Sequence, residues 1–142
     1  MARIAVIDIG KTNAKVLVVD LATGAEDIVA RMPNPVLATG PHPHHDADAL
    51  WRFIIDGLAR VGPVQAISVT THGASAALVD AAGDLVLPVL DYEHSGPDDL
   101  AADYAALRPD FAETGSPRLP VGLNLGAQIY WQEKTFPDAF AR

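Results

Sequence analysis

The chain has 142 residues, 49% of them hydrophobic, and a mean hydropathy of +0.16, enough apolar material for one folded core and unlike a disordered segment. Its formal charge of −8, from 18 acidic and 10 basic residues without a Lys/Arg cluster, argues against nucleic acid or an anionic membrane as partner. The lack of cysteine removes disulfides, thiolate catalysis and sulfur-rich zinc sites, and no stretch approaches the roughly 18 apolar residues of a membrane span.

The first element is a pair of β-branched runs, predicted as strands over 4–9 and 15–20 and joined by a short polar turn. A carboxylate at the end of a run apolar on both faces is costly unless something there requires negative charge, and Asp8 occupies that position. Gly10 lets a ligand approach the backbone, and Thr12 and Asn13 offer hydroxyl, amide and N–H donors. In outline this is a site for phosphate oxygens and hydrated Mg²⁺, with Lys11 and Lys15 as local bases. An ordinary hairpin with a solvated Asp at its tip has the same local pattern. The apolar run beginning at Ile4 is broken at Asp8, which is unlike a secretory leader, so a cytoplasmic enzyme or binding domain is expected.

Thr23-Gly24 turns the chain into a third strand over 27–32, giving an antiparallel meander. Pro33, Pro35, Pro41 and Pro43 break regular structure in the loop that follows. That loop carries His42, His44 and His45 beside Asp46; its tight, proline-ridden spacing favours a solvated loop over a metal site. Leu50, Phe53, Ile54, Leu58 and Val61 then recur at helical spacing, with Asp46 or Asp48 as cap and Gly62-Pro63 as stop. Residues 66–70 form a short apolar strand that reads as buried. A strand–helix–strand passage predicts that it runs parallel to an earlier strand. If that neighbour is the first strand, Asp8-Gly10 and Thr71-His72-Gly73 share one end of the sheet, where ligands bind in such folds.

Residues 76–79 and 85–89 flank a Gly83-containing turn and are predicted to pair as a hairpin. Asp91 and Glu93 follow; on an extended segment, residues two apart share a face, and a solvated strand end fits the same pattern. Helices are expected near 100–107, near 125–134 and from Asp138. Trp51, Tyr104 and Trp131 have apolar neighbours at helical spacing, which reads as core packing.

Taken together, these segments resemble the FGGY carbohydrate kinases of the actin-like ATPase superfamily. Asp8-Ile-Gly10-Lys-Thr12-Asn13-Ala-Lys15 is similar to the family's first phosphate motif. Thr70-Thr71-His72-Gly73-Ala74-Ser75, running on to Asp80, is similar to its sugar-pocket hairpin. Leu87-Pro88-Val-Leu-Asp91-Tyr92-Glu93 and the segment from Gln128 to Trp131 with Pro137-Asp138 fit the later parts of the pattern.

The resemblance implies an α/β, ribonuclease H-like (actin-like ATPase) half-lobe. It would hold a three-stranded antiparallel meander, a helix and a parallel strand, then a hairpin and C-terminal helices. It implies ATP and Mg²⁺ as cofactors: Asp8 would hold Mg²⁺ through water, while Gly10, Lys11, Thr12, Asn13 and Lys15 meet the phosphates. It implies a small-molecule sugar substrate contacted by His72, Gly73, Asp91 and Glu93, and is compatible with a homo-oligomer in a full-length form. Lys15 stands where relatives usually carry an arginine, so it supplies a point charge without a bidentate fork. The Gly73–Asp80 spacing suits L-fuculose and L-rhamnulose kinases, although Ser75 replaces an acidic residue usual in deoxyketose kinases. Family members are several times longer. Their general-base Asp is expected beyond residue 142, and the adenosine pocket lies in a second lobe. The expectation is therefore an N-terminal portion of the first lobe of a ketose or deoxyketose kinase, inactive alone. An actin-like phosphohydrolase fragment and a non-catalytic binding module remain the alternatives.

Overall fold

A computed structural model describes residues 2–142. The chain divides into two compact units, one formed by residues 1–36 and 46–73 and the other by residues 37–45 and 74–142.

The first unit is built on a four-stranded sheet containing β1 (Arg3–Ile9), β2 (Asn13–Asp20), β3 (Glu26–Pro33) and β6 (Ala66–Thr70), in the order β3-β2-β1-β6. The meander is antiparallel, with Asp8 opposite Lys15 and Ala5 opposite Val18. β6 lies parallel to β1, as the crossover argument predicts, and pairs Asp8 with Thr70. The crossover helix is α1 (Ala47–Leu58), whose N-cap Asp46 accepts a hydrogen bond from the Ala49 N–H at 2.9 Å. It packs on β2 and β3, where Phe53 and Leu58 meet the buried Ala5, Val16, Val18 and Val61. Gly57 permits the approach, since a Cβ there would lie 2.7 Å from Val16 Cγ2.

Two expectations about this unit are corrected. β6 is not buried: all five of its residues are exposed, Ile67 at 54% and Val69 at 63%. It ends the sheet among the described residues, and α1 packs over β2 and β3 rather than over it. Trp51 is likewise 64% exposed and is not a core residue.

The second unit carries a short sheet of β4 (Val36–Leu37), β5 (His44–His45) and β7 (Val89–Leu90), in the order β4-β5-β7. The histidine loop is thus not a solvated loop. His44 pairs with Leu90 and His45 with Val89, and His42 and His45 are each only 4% exposed. His42 is walled in by Trp131 and Phe136, with ring centroids 5.9 and 5.7 Å away; aromatic packing outweighs the polarity of the imidazoles. The expected hairpin reduces to a single bridge between Val79 and Leu85 around the Asp80–Asp84 turn, because Val89 pairs with β5 instead.

A 3-10 turn (Gly96–Leu100) leads into α2 (Ala101–Leu107), followed by α3 (Phe111–Thr114), α4 (Leu125–Thr135) and α5 (Pro137–Phe140). The Asn124 side chain caps α4 by accepting from the Ala127 N–H at 3.1 Å. Tyr104 is half-buried against Tyr130 and Trp131 is buried, as their spacing predicts. Among the described residues no helix is long and apolar enough to cross a membrane.

Candidate functional site

In the first unit, the parallel pairing of β1 and β6 brings two strand ends together. Asp8 lies near the end of β1, and its neighbour across the pairing, Thr70, is the last residue of β6. The Thr71-His72-Gly73 segment leaves the sheet at that same end. Opposite Asp8 on the other side is Lys15, whose Nζ donates to Asp8 Oδ2 at 2.8 Å. Both side chains are about 30% exposed (29% and 31%), so the pair is partly solvated and its net strength modest. One carboxylate oxygen is therefore held by an ammonium.

The Gly10–Asn13 turn closes the end of this hairpin. The Gly10 N–H donates to Asn13 O at 2.9 Å, and a Cβ at position 10 would lie 3.1 Å from that oxygen. A side chain there would press on the turn's own closing bond, so the close approach favours glycine. Thr12 is exposed, and Asn13 Nδ2 donates to Thr12 Oγ1 at 3.0 Å, orienting the hydroxyl at the rim. Lys11 is half-buried beside it.

The residue that sequence reasoning missed is Asn34. It is 2% exposed, its Nδ2 donates to Gly10 O at 2.9 Å, and its backbone N–H donates to Thr12 O at 2.9 Å. Two carbonyls of the turn are thus braced by one buried residue from 24 positions away. The proline pair around it, Pro33 and Pro35, marks an extended backbone but gives no hint of a partner. The Asp8–Lys15 pair follows from the register of β1 and β2, which sets these residues opposite each other.

The remaining candidates lie at or beyond the boundary of this unit. His72 is half-buried, whereas Gly73 is exposed and a Cβ there would meet nothing within 4 Å. Gly73 is not required by packing. In the second unit, Asp91 and Glu93 do not share an extended face. β7 ends at Leu90, and the chain turns at once: His94 N–H donates to Asp91 O at 2.9 Å and Glu93 N–H to Asp91 Oδ1 at 3.2 Å. This Asx-type turn folds Asp91 inward, at 7% exposure, and leaves Glu93 outside.

The turn is supported from behind. The Gly122 N–H donates to Tyr92 O at 2.9 Å, and a Cβ on Gly122 would sit 3.0 Å from the Tyr92 backbone. Val121, a β-branched residue at φ 51°, is held by Asp98 Oδ1, which accepts from its N–H at 3.0 Å. Gln128 on α4, 1% exposed, donates through Nε2 to Ala74 O at 2.6 Å and also to Gly122 O. One buried amide thereby ties the residue after Gly73 to the loop that holds Tyr92.

No protein-family model and no curated protein matches the sequence. Solved structures do. A carbohydrate kinase from Novosphingobium aromaticivorans is 42% identical, with a TM-score of 0.79, over 96% of this chain and 30% of its own. A ligand-bound xylulose kinase from Lactobacillus acidophilus (14% identity, TM-score 0.74) covers 100% of this chain and 30% of its own. A Plasmodium falciparum glycerol kinase with ADP (15% identity, TM-score 0.72) covers 98% and 30%. At those lower identities the likeness is one of fold. The chain spans 30% of the length of each of these relatives. By fold and by sequence identity along almost its whole length, the chain belongs to the FGGY carbohydrate kinase family.

Proposed function

We propose that the chain is the N-terminal portion of the first lobe of an ATP-dependent sugar kinase, and that its own contribution is the corner receiving the phosphates. The observation that carries this reading is the Asp8 carboxylate at the joined ends of β1 and β6, beside the braced Gly10–Asn13 turn. The four-stranded sheet is read as the start of a ribonuclease H-like core, on the strength of its antiparallel meander followed by a helix and a parallel return strand.

In this reading Gly10, Lys11, Thr12 and Asn13 meet phosphate oxygens through backbone N–H groups and the Thr12 hydroxyl. Lys15 supplies a point charge to the same oxygens. Asp8 suits a hydrated Mg²⁺: it is a partly exposed carboxylate at the strand end, a hard oxygen donor for contact through water. When bound, the ion would neutralise charge on the phosphates, on which phosphoryl transfer depends. His72, Gly73, Asp91 and Glu93 are assigned to the sugar, with the carboxylates as acceptors for its hydroxyls. The substrate class is a ketose or deoxyketose.

The test is a titration of the chain with ADP, with and without Mg²⁺, followed through the amide resonances of residues 10–13. Wild type should bind more tightly with Mg²⁺, and Asp8→Ala should abolish that difference. An Mg²⁺ dependence unchanged in Asp8→Ala would refute the role of Asp8.

A further inference from the structure

His42 is buried in the second unit against the rings of Trp131 and Phe136. Its Nδ1 lies 3.2 Å from the Pro43 carbonyl oxygen. A carbonyl only accepts, so Nδ1 carries the proton of the neutral ring and Nε2 is the bare nitrogen. That Nε2 is buried and has no hydrogen-bond partner among the described residues.

The same carbonyl takes a second donor. Asp91 N–H reaches Pro43 O at 3.0 Å, adding a rung to the ladder in which His44 opposes Leu90 and His45 opposes Val89. One oxygen thus joins the His42 imidazole to the first residue of the turn that carries Asp91 and Glu93. The far end of that turn returns to the same indole. His94, whose N–H closes the turn onto Asp91 O at 2.9 Å, sits edge-on to Trp131 with ring centroids 5.1 Å apart. A Cβ on Gly96 would lie 2.6 Å from both His94 Nε2 and Trp131 Cε2, so this side of the turn is tightly packed.

A second proton on His42 fits this arrangement badly. α4 and α5 face the ring with Trp131 and Phe136, which offer its new N–H no carbonyl or carboxylate. The charges acting on it are those of His44 on β5 and His94 on the turn, and both repel. His45, on the same strand, is also buried, and the Asp91 carboxylate is turned onto Glu93 N–H. Burial and like charge both favour the neutral ring.

We propose that His42 is a positioning residue for the Asp91–His94 turn and acts through its proton: the neutral ring holds Pro43 O under the Asp91 N–H, and the charged ring leaves its pocket and frees the turn. The consequence for sugar binding rests on the assignment of Asp91 and Glu93 made above. The coupling of ring to turn does not, and it is tested without a sugar, so failure of the one is distinguishable from failure of the other.

The test follows the His42 ring resonances and the Asp91 amide in one titration of the chain from pH 7.5 to 4.5. Both should move with a single midpoint below the ordinary histidine value of about 6.5. Protection of the Asp91 amide against exchange should fall about tenfold or more across it, while amides of α2 keep theirs. His44→Gln retains a donor for His42 O, which His44 Nδ1 reaches at 2.9 Å, and removes one repelling charge; it should raise both midpoints together. His42→Phe keeps a ring in the pocket without a proton, and Asp91 protection should then stay level. Circular dichroism verifies that His42→Phe folds, and the His44→Gln titration decides the matter if it does not. Three results would overturn the proposal: an Asp91 amide that keeps its midpoint in His42→Phe, one that stays level while the wild-type ring titrates, or one that parts from the ring in His44→Gln. Loss of protection in α2 at the same midpoint would overturn it too, because the unit would then be unfolding as a whole.

Discussion

Asn34→Ala separates a braced phosphate turn from a merely well-drawn hairpin. The substitution deletes the bond from Nδ2 to Gly10 O and leaves the backbone bond from Asn34 N–H to Thr12 O in place. A typical hydrogen bond contributes about 0.5–1.5 kcal/mol net, and stranding its buried partner costs about 1–3 kcal/mol. Gly10 is only half-buried, so water recovers part of that cost, and about 1–2 kcal/mol is the expected loss. The loosened turn opens locally, so a global melting curve is a poor reporter of this substitution. Native-state amide exchange at Gly10, whose N–H closes the turn onto Asn13 O, reports the local opening. A loss of about 1–2 kcal/mol accelerates that exchange roughly 5- to 30-fold. Asn34→Asp keeps the volume but replaces the donor with a carboxylate facing the same carbonyl, and it should be at least as damaging. If Asn34→Asp leaves Gly10 exchange at the wild-type rate, the side-chain bond does not hold the turn and the bracing argument fails.

The helix–sheet contact gives a second measurement. Gly57→Ala gains about 1 kcal/mol of helix propensity, but its Cβ would sit 2.7 Å from Val16 Cγ2 and 3.0 Å from Val16 Cβ. Val16 is fully buried and cannot move aside. Overpacking of about 1–3 kcal/mol should win, and urea denaturation should show a destabilised variant. Adding Val16→Ala should recover part of the loss through a favourable coupling, and strictly additive effects would rule out the clash. A third concerns His42, whose pKa is lowered by burial, with His44 and His94 adding like-charge repulsion; the hydrogen bond with the Pro43 carbonyl opposes the shift. The unfolded chain therefore takes up this proton before the folded one. The contribution of neutral His42 to stability is complete above about pH 6.5 and is lost as pH falls from there through the lowered folded value. Thermal melts between pH 7.5 and 5 should show this loss, and His42→Phe should flatten it; an equally steep acid limb in the variant would place the titration elsewhere.

What the sequence made legible is local or periodic. The meander follows from alternating β-branched runs and a Thr23-Gly24 turn, α1 from its apolar spacing and Asp46 cap, and the parallel β6 from the handedness of a strand–helix–strand passage. The Asp8 corner followed from those elements. Burial was harder to read, because a run such as Ala66–Thr70 has the same composition whether it lies in the middle of a sheet or at its edge. The histidine loop failed for the converse reason. His42 and His45 are buried by rings and strands far along the chain, at Trp131, Phe136 and Val89, and no local pattern announces such partners. Asn34 and Gln128 belong to the same class: each is a buried amide whose significance is the carbonyl it reaches, 24 and 54 residues away.

The Asp8–Lys15 pair has a further consequence for the proposed phosphate corner. An ammonium 2.8 Å from Oδ2 neutralises the carboxylate when no cation or phosphate is near, so Asp8 bears no lone charge at the sheet end. Arriving phosphate oxygens offer Lys15 a stronger anionic partner, and an accompanying hydrated cation offers Asp8 a stronger positive one. The two exchanges reinforce each other: each is costly if it leaves the other member of the pair exposed and unpaired, and neither is costly when both occur. In this reading the pair couples metal and phosphate binding through one shared contact. Lysine suits such an exchange because its single mobile point charge moves between acceptors, whereas a bidentate guanidinium would hold the carboxylate in a fixed fork. Lys15→Met should therefore weaken ADP binding and also reduce its dependence on Mg²⁺. Weaker binding with the Mg²⁺ dependence intact would mean that Lys15 and Asp8 act independently.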